Sequence, residues 1–207
     1  MRCWVVWVAG TCGGLAGCAD LGELRFPGGS APVRTAWYRI DAQPSPSLSV
    51  FVSSSRFPCE FPEGRGEDYT EALGELQVAA CREGAHHVGL QVFQSSGTTF
   101  DGAYPAEAGA SAAALSASRP RLARGAYFGV EEAFLVEVDG LRRAYSPSEE
   151  TYLPDLGPGR VELDHDERLR GELAFDAGVY GTFTAEVCDA NDGLLDLLVA
   201  SPLQLCP

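Results

Sequence analysis

Histidine, the side chain best suited to proton transfer near neutral pH, occurs at three positions in this chain. One of them, His165, lies between Asp164 and Asp166 and is followed by Glu167. This acidic DHDE segment could hold a hard cation through its carboxylates or use the imidazole in hydrolysis. A solvated turn is the simpler interpretation, because like charges in a bend repel each other. It predicts that His165 is exposed, with no second histidine and no serine hydroxyl in reach.

The other two histidines, His86 and His87, are adjacent in a segment typical of a β-strand. Neighbouring side chains of a strand point to opposite faces, so the two imidazoles cannot converge on one metal ion. The simpler expectation is that His86 and His87 lie at the protein surface, where the strand begins. The serines at 53–55 end another predicted strand with no base nearby in sequence, and no GxSxG motif is present. A triad formed in space with His165 stays as the alternative.

Segment 189–193 (DANDG) shares its first residues with calcium loops of the EF-hand type but departs from their pattern. That pattern places glycine sixth and glutamate twelfth, whereas here the glycine is fifth and position twelve is Ala200. A tight turn explains the segment without an ion. The sequence therefore predicts no catalytic residue, no metal site and no cofactor.

Cys18 is the residue of the N-terminal region that could carry chemistry. Arg2 supplies one positive charge before the apolar run 3–12 (CWVVWVAGTC). This run is shorter than the roughly 20 residues that a membrane-spanning helix needs. A short basic start followed by a brief apolar run is typical of a secretory signal peptide. The stretch 15–18 (LAGC) resembles the lipobox of bacterial lipoproteins. That resemblance implies removal of residues 1–17, a diacylglycerol on Cys18, and a lipid anchor at the extracytoplasmic face, in the periplasm or at the cell surface. An ordinary signal peptide that leaves Cys18 a free thiol is the alternative.

The remaining thiols agree with export. Without the signal peptide and the lipidated residue, four cysteines are left: Cys59, Cys81, Cys188 and Cys206. Four thiols outside the cytoplasm predict two disulfides. The sequence contains no CxxC pair, the spacing that would indicate a metal site or a redox function. Of the three pairings that four cysteines allow, we favour the local one, Cys59 with Cys81 and Cys188 with Cys206, because each closes a short segment.

The charge and the aromatic residues limit which classes of binding partner the protein can have. All 15 basic residues are arginine, which excludes lysine chemistry, and the formal net charge of -14 argues against nucleic acid. The partners expected are the membrane, through the N-terminal lipid, and an unidentified protein or glycan. Aromatic side chains in loops or on polar faces could bind such a partner, although packing on their own strands is the commoner role: Trp37, Tyr127, Tyr145 and Tyr152.

The elements that position these residues are mostly strands. Residues 18–34 lack periodicity and are predicted to be a lipidated end and flexible tether, and 35–207 a β-rich domain. Period-two alternation predicts strands near 36–40, 48–52, 86–92 and 134–138, and a three-stranded meander over 161–187. Helical spacing of apolar residues predicts a helix over 67–84. Segment 106–120 is expected to be a loose insertion. The fold class expected is an antiparallel β-sandwich or half-open barrel with one helix.

Segment 159–188 is also similar to the closing strands of uncharacterised bacterial envelope lipoproteins, a resemblance of sheet pattern that implies no activity. The sequence thus indicates a lipid-anchored envelope protein with a non-enzymatic binding or scaffold domain. Two alternatives stay open. One is a hydrolase or metal-dependent enzyme that uses Asp164 to Glu167, and the other is a lipoprotein associated with a transporter or an assembly machine.

Overall fold

The structure, a computed structural model, describes residues 20–41, 46–59, 67–106, 121–138, 141–145, 150–153, 156–188 and 206. Within these ranges the chain forms strands and one helix. In chain order they are β1 (Gly22–Phe26), β2 (Gly29–Pro32), β3 (Thr35–Asp41), β4 (Ser47–Ser53), α1 (Glu67–Ala80), β5 (Ala85–Gln94), β6 (Gly102–Ala106), β7 (Arg121–Val130), β8 (Phe134–Val138), β9 (Leu141–Tyr145), β10 (Glu150–Leu153), β11 (Gly159–His165), β12 (Leu169–Phe175) and β13 (Tyr180–Val187).

Eight of the strands form a closed barrel in the order β12, β11, β6, β7, β5, β4, β3, β13, and β13 pairs with β12 to complete the ring. The mainly β architecture with one helix is confirmed, whereas the sheet closes on itself instead of staying half open. Closure depends on a short parallel pairing between the last and an early strand, in which Glu186 lies opposite Trp37. Closing a sheet removes the exposed edges that a half-open barrel would leave.

Two long strands have an edge that is shared between two neighbours. One edge of β13 pairs with β1 over Tyr180 to Phe183 and with β3 further along. One edge of β7 pairs with β6 at Ala123 and with β10 at its other end. The hairpin of β1 and β2 and the strand β10 therefore extend the sheet beyond the ring, while β8 and β9 form a separate two-stranded sheet.

The barrel interior is filled by apolar side chains. On β5, Val88, Leu90 and Val92 point inward, as the alternation predicts, and are fully buried. They pack against inward-facing residues of the other strands, among them Leu48, Val50, Val52, Tyr104, Val161, Leu173 and Phe183. An eight-stranded barrel is just wide enough for side chains to fill, and each buried aliphatic or aromatic side chain contributes about 1.5–3 kcal/mol.

A second apolar cluster lies outside the ring, beneath α1, and we call it the outer layer. It contains Trp37, Phe51, Phe57, Leu76, Ala80, Cys81, Phe128, Val130, Cys188 and Cys206. The helix predicted over 67–84 is confirmed over Glu67–Ala80, and Leu76 and Ala80 lie one turn apart on its buried side. The burial of Trp37 here, and of Tyr127 in the interior, supports packing rather than exposed binding roles for these two aromatics.

The prediction of a flexible tether over 18–34 is wrong for the part that the structure describes. β1 pairs with β13 and β2 pairs with β1, and Leu24 is 1% exposed within the interior cluster. One glycine of the predicted tether, Gly22, allows close backbone approach instead. A Cβ at Gly22 would lie 2.0 Å from the Thr182 carbonyl oxygen, and a Cβ at Gly181 of β13 would lie 2.1 Å from the Glu23 carbonyl oxygen, so β1 can lie against β13 only because both side chains are missing.

All four cysteines predicted to be oxidised form disulfides, but the local pairing is wrong. Cys59 is bonded to Cys188 and Cys81 to Cys206, each with a Cα separation of 5.7 Å. The reason lies in the barrel closure. Because β13 ends beside β3, Cys188 lies close to the segment that leaves β4, and its backbone N–H donates to the Tyr38 carbonyl at 3.0 Å.

The antiparallel meander of β11, β12 and β13 is confirmed. Several other predictions fall outside the described residues, namely those on segments 1–19 with Cys18, 107–120 and 189–205, and on the side chains of Tyr145 and Tyr152. No helix in the described ranges has the length and apolar character needed to span a membrane.

Candidate functional site

The β4–β5 register brings a serine and a histidine together beneath α1. Ser53 lies opposite His87, and the Ser53 hydroxyl is 2.8 Å from His87 Nδ1. The other ring nitrogen, Nε2, lies 2.9 Å from the carbonyl oxygen of Ala80 at the end of α1. Since a carbonyl can only accept, Nε2 carries the proton and donates it, and Nδ1 accepts from the serine hydroxyl. The backbone N–H of Ser55 in turn donates to the Ser53 oxygen at 2.9 Å.

This Ser53–His87 pair resembles a nucleophile and its base only in residue type. Ser53 is 0% exposed and His87 1% exposed, with Phe51, Phe57 and Phe128 packed around the imidazole. Burial lowers the pKa of His87 to about 4, so the ring is neutral at physiological pH. Catalysis would need access for a substrate, which these burial values deny. The pair instead joins β4, β5 and the end of α1.

His86 points to the opposite face, as the strand geometry predicts, but the expected surface pair is wrong. Its ring stacks on Phe26 of the β1–β2 hairpin at a centroid distance of 3.7 Å, and its Nδ1 lies 3.1 Å from the Tyr127 hydroxyl. Burial lowers the pKa of His86 as well. Phe26 covers this imidazole, so the hairpin closes over one end of the barrel.

His165 lies at the other end of the barrel, at the end of β11. Contrary to the predicted exposed turn, its ring is partly buried, with Nε2 3.3 Å from the Tyr38 hydroxyl and the two rings in edge contact. Its backbone N–H donates to Asp101 Oδ1 at 2.6 Å. In the described part of the chain neither a serine hydroxyl nor another histidine contacts it, and no set of three histidine, cysteine or acidic side chains could hold a metal.

Two adjoining grooves cross the outer surface of β1, β13, β12 and β11. Their volumes are about 470 and 620 Å³, and both are lined by Glu172 and Thr182. Further carboxylates line them at Asp20, Glu23, Glu162, Asp164 and Asp176. The arginines present, Arg25 and Arg170, already pair with Glu23 and Asp164. This surface is therefore acidic and suits a cationic or neutral polar partner better than an anion.

A third groove, of about 550 Å³, has the opposite charge. It lies beside the C-terminal end of α1 and is lined by Arg34, Ser55, Arg56, Ala79, Arg82 and Glu83. Three cations and one carboxylate make this groove basic, although the chain as a whole is acidic. Sequence reasoning missed this site because its three arginines come from three separate connections. It missed the Ser53–His87 pair because only the strand register brings those two residues together.

Comparison of the chain with protein-family models, with curated proteins and with solved structures found no match. The functional interpretation therefore depends on the residues and their geometry.

Proposed function

We propose that this chain is a lipid-anchored, extracytoplasmic binding protein of a bacterial cell envelope. The observation that carries the proposal is the pair of disulfides, which join the segment around Cys59 and Cys81 to the C-terminal end of the chain. Structural disulfides form and persist in oxidising compartments outside the cytoplasm. An exported chain agrees with the lipobox-like stretch ending at Cys18, where a diacylglycerol would hold the domain at a membrane surface.

The distribution of polar groups supports binding rather than catalysis. The barrel interior is filled by side chains, and the Ser53–His87 pair is buried beneath α1, whereas the grooves lined by Glu172 and by Arg56, both formed by described residues, lie outside the ring. For the hydrolase alternative, His165 would have to face a nucleophile or a metal. Its contacts are a tyrosine hydroxyl and a backbone bond to Asp101, which favour no such reaction.

The anchor is tested by expressing the full chain in a bacterial host supplied with a labelled fatty acid. Wild-type protein is expected to carry the label and to partition into the detergent phase, whereas Cys18→Ser should lose the label. Cys12→Ser is the matched control, because it removes a thiol from the same N-terminal segment and should keep full labelling. Wild-type protein without an acyl chain, or with equal labelling of Cys18→Ser, would refute the lipid anchor.

A further inference from the structure

We infer that the groove beside the end of α1 is a binding site for a phosphoryl group, held by Arg34, Arg56 and Arg82. Each arginine comes from a different connection. Arg34 lies between β2 and β3, Arg56 follows β4, and Arg82 follows α1. The topology thus gathers three cations on one concave surface, and this inference does not depend on the lipid anchor.

Hydrogen bonds fix the backbone on which these arginines stand. The N–H of Arg34 donates to the Ser53 carbonyl at 2.8 Å, and the Arg82 carbonyl accepts from the N–H of Ala85 at 2.9 Å. The Thr35 hydroxyl donates to the Ser55 carbonyl at 2.9 Å, next to Arg56. Because the backbone at the three arginines is fixed before any ligand arrives, less conformational entropy is lost on binding.

The charges at the groove are not neutralised by the protein itself. Elsewhere arginines pair with carboxylates, as in Arg25 with Glu23, Arg39 with Asp41, Arg160 with Glu162, Arg168 with Glu186 and Arg170 with Asp164. Among the described residues, no hydrogen bond or ion pair engages the guanidinium groups of Arg34, Arg56 and Arg82. Glu83, which also lines the groove, is within ion-pair distance of none of them.

The number of donors favours a phosphoryl group over a carboxylate. A guanidinium presents a planar fork that matches two oxygens, and a phosphoryl group offers up to three or four oxygens with up to two negative charges. Three guanidinium groups and the Ser55 hydroxyl supply more donors than one carboxylate can accept. At about 550 Å³, the groove has room for the rest of a phosphorylated molecule. That molecule is either a soluble phosphate ester or the headgroup of an anionic phospholipid.

Binding is tested on the full chain by calorimetry with inorganic phosphate and by co-sedimentation with vesicles of phosphatidylglycerol in phosphatidylcholine. We expect saturable binding in at least one assay, and at least tenfold weaker binding by the Arg34→Gln, Arg56→Gln, Arg82→Gln triple variant. Phosphate binding alone identifies a soluble ligand, and vesicle binding lost in the triple variant identifies a headgroup. Both outcomes support the site. The triple variant keeps the N-terminus of wild type, so a lipid anchor contributes equally to vesicle binding by the two proteins and cannot cause a difference between them.

The matched control is the triple variant Arg25→Gln, Arg160→Gln, Arg168→Gln, which changes the net charge equally at exposed ion pairs of little energetic value. It should bind as wild type does. Glu83→Gln should raise the affinity several-fold, a gain that a purely structural role of the arginines does not produce. No saturable binding in either assay, or an equal loss in both triple variants with folding unchanged by circular dichroism, overturns the inference.

Discussion

The barrel interior and the outer layer beneath α1 are both apolar, but they are stabilised in different ways. The interior is packed mainly with aliphatic and aromatic side chains such as Leu90 and Val161. The outer layer contains cysteines of both disulfides, and its phenylalanines pack around the imidazole of the buried Ser53–His87 pair. The interior should therefore be destabilised mainly by substitutions that remove side-chain volume. The stability of the outer layer should also fall on reduction of the disulfides and in acid.

The largest expected effect is on the outer layer, from reduction of the disulfides. Cys59 and Cys188 are 129 residues apart, and in the chain-entropy model a loop of that size contributes about 5 kcal/mol. The second bond adds a smaller amount, because the first has already brought its ends together. We expect the free energy of unfolding, measured in urea, to fall by at least about 5 kcal/mol when all four cysteines are replaced by alanine.

Leu90→Ala is the matched variant of the interior and should cost about 2–5 kcal/mol through the cavity that it leaves. Its cost should be the same with and without a reducing agent. If the reducing agent leaves wild-type stability unchanged after the thiols are shown to be free, the contrast between the two clusters does not hold.

Acid should weaken the outer layer through His87, whose pKa is lowered to about 4 by burial. Below about pH 6.5 the unfolded chain takes up a proton that the folded ring refuses, so this contribution to stability is present above 6.5 and is lost as the pH falls towards 4. The loss amounts to about 3 kcal/mol. In urea titrations at several pH values, His87→Gln should be less stable than wild type at pH 7, with a flatter decline between 6.5 and 4. Parallel curves for the two proteins would assign the acid response to other groups.

The smallest of these effects concerns the serine of the buried pair. Ser53→Ala leaves His87 Nδ1 and the Ser55 N–H without their partner, which should cost about 1–3 kcal/mol. Ser49→Ala, on the same strand, removes a hydroxyl of similar burial for which the structure records no side-chain hydrogen bond, and serves as the control. Equal losses of stability for the two variants would show that the Ser53 hydroxyl contributes nothing particular to the outer layer.

Sequence patterns predicted the elements whose residues are close together in the chain. Alternation between Val161 and Val187 predicted the meander, since consecutive antiparallel strands need only tight turns, and helical spacing predicted α1. The hairpin of β1 and β2 was not predicted because glycine and proline usually mark loops, whereas Gly22 here lets β1 pack closely against β13.

Features formed by residues far apart in the chain, namely the barrel closure, the disulfide pairing and the arginine groove, could not be predicted from such patterns. The parallel contact of Trp37 with Glu186 leaves no trace in the alternation of either strand, and the disulfide pairing follows from that contact. The Ser53–His87 pair could have been found by aligning the two predicted strands in antiparallel register, which places these residues opposite each other. The arginine groove depends on three loops, and nothing in their sequences indicates that they meet.

The crossed disulfides also impose an order on how the protein matures. Of the four cysteines in the disulfides, synthesis delivers Cys59 and Cys81 long before Cys188 and Cys206, so the first bond that an oxidant can form among these four is the non-native link between the two early thiols. These thiols are 22 residues apart, and a short loop closes readily. Native pairing therefore requires either that oxidation waits for the last strand or that an early bond is exchanged through thiolate attack.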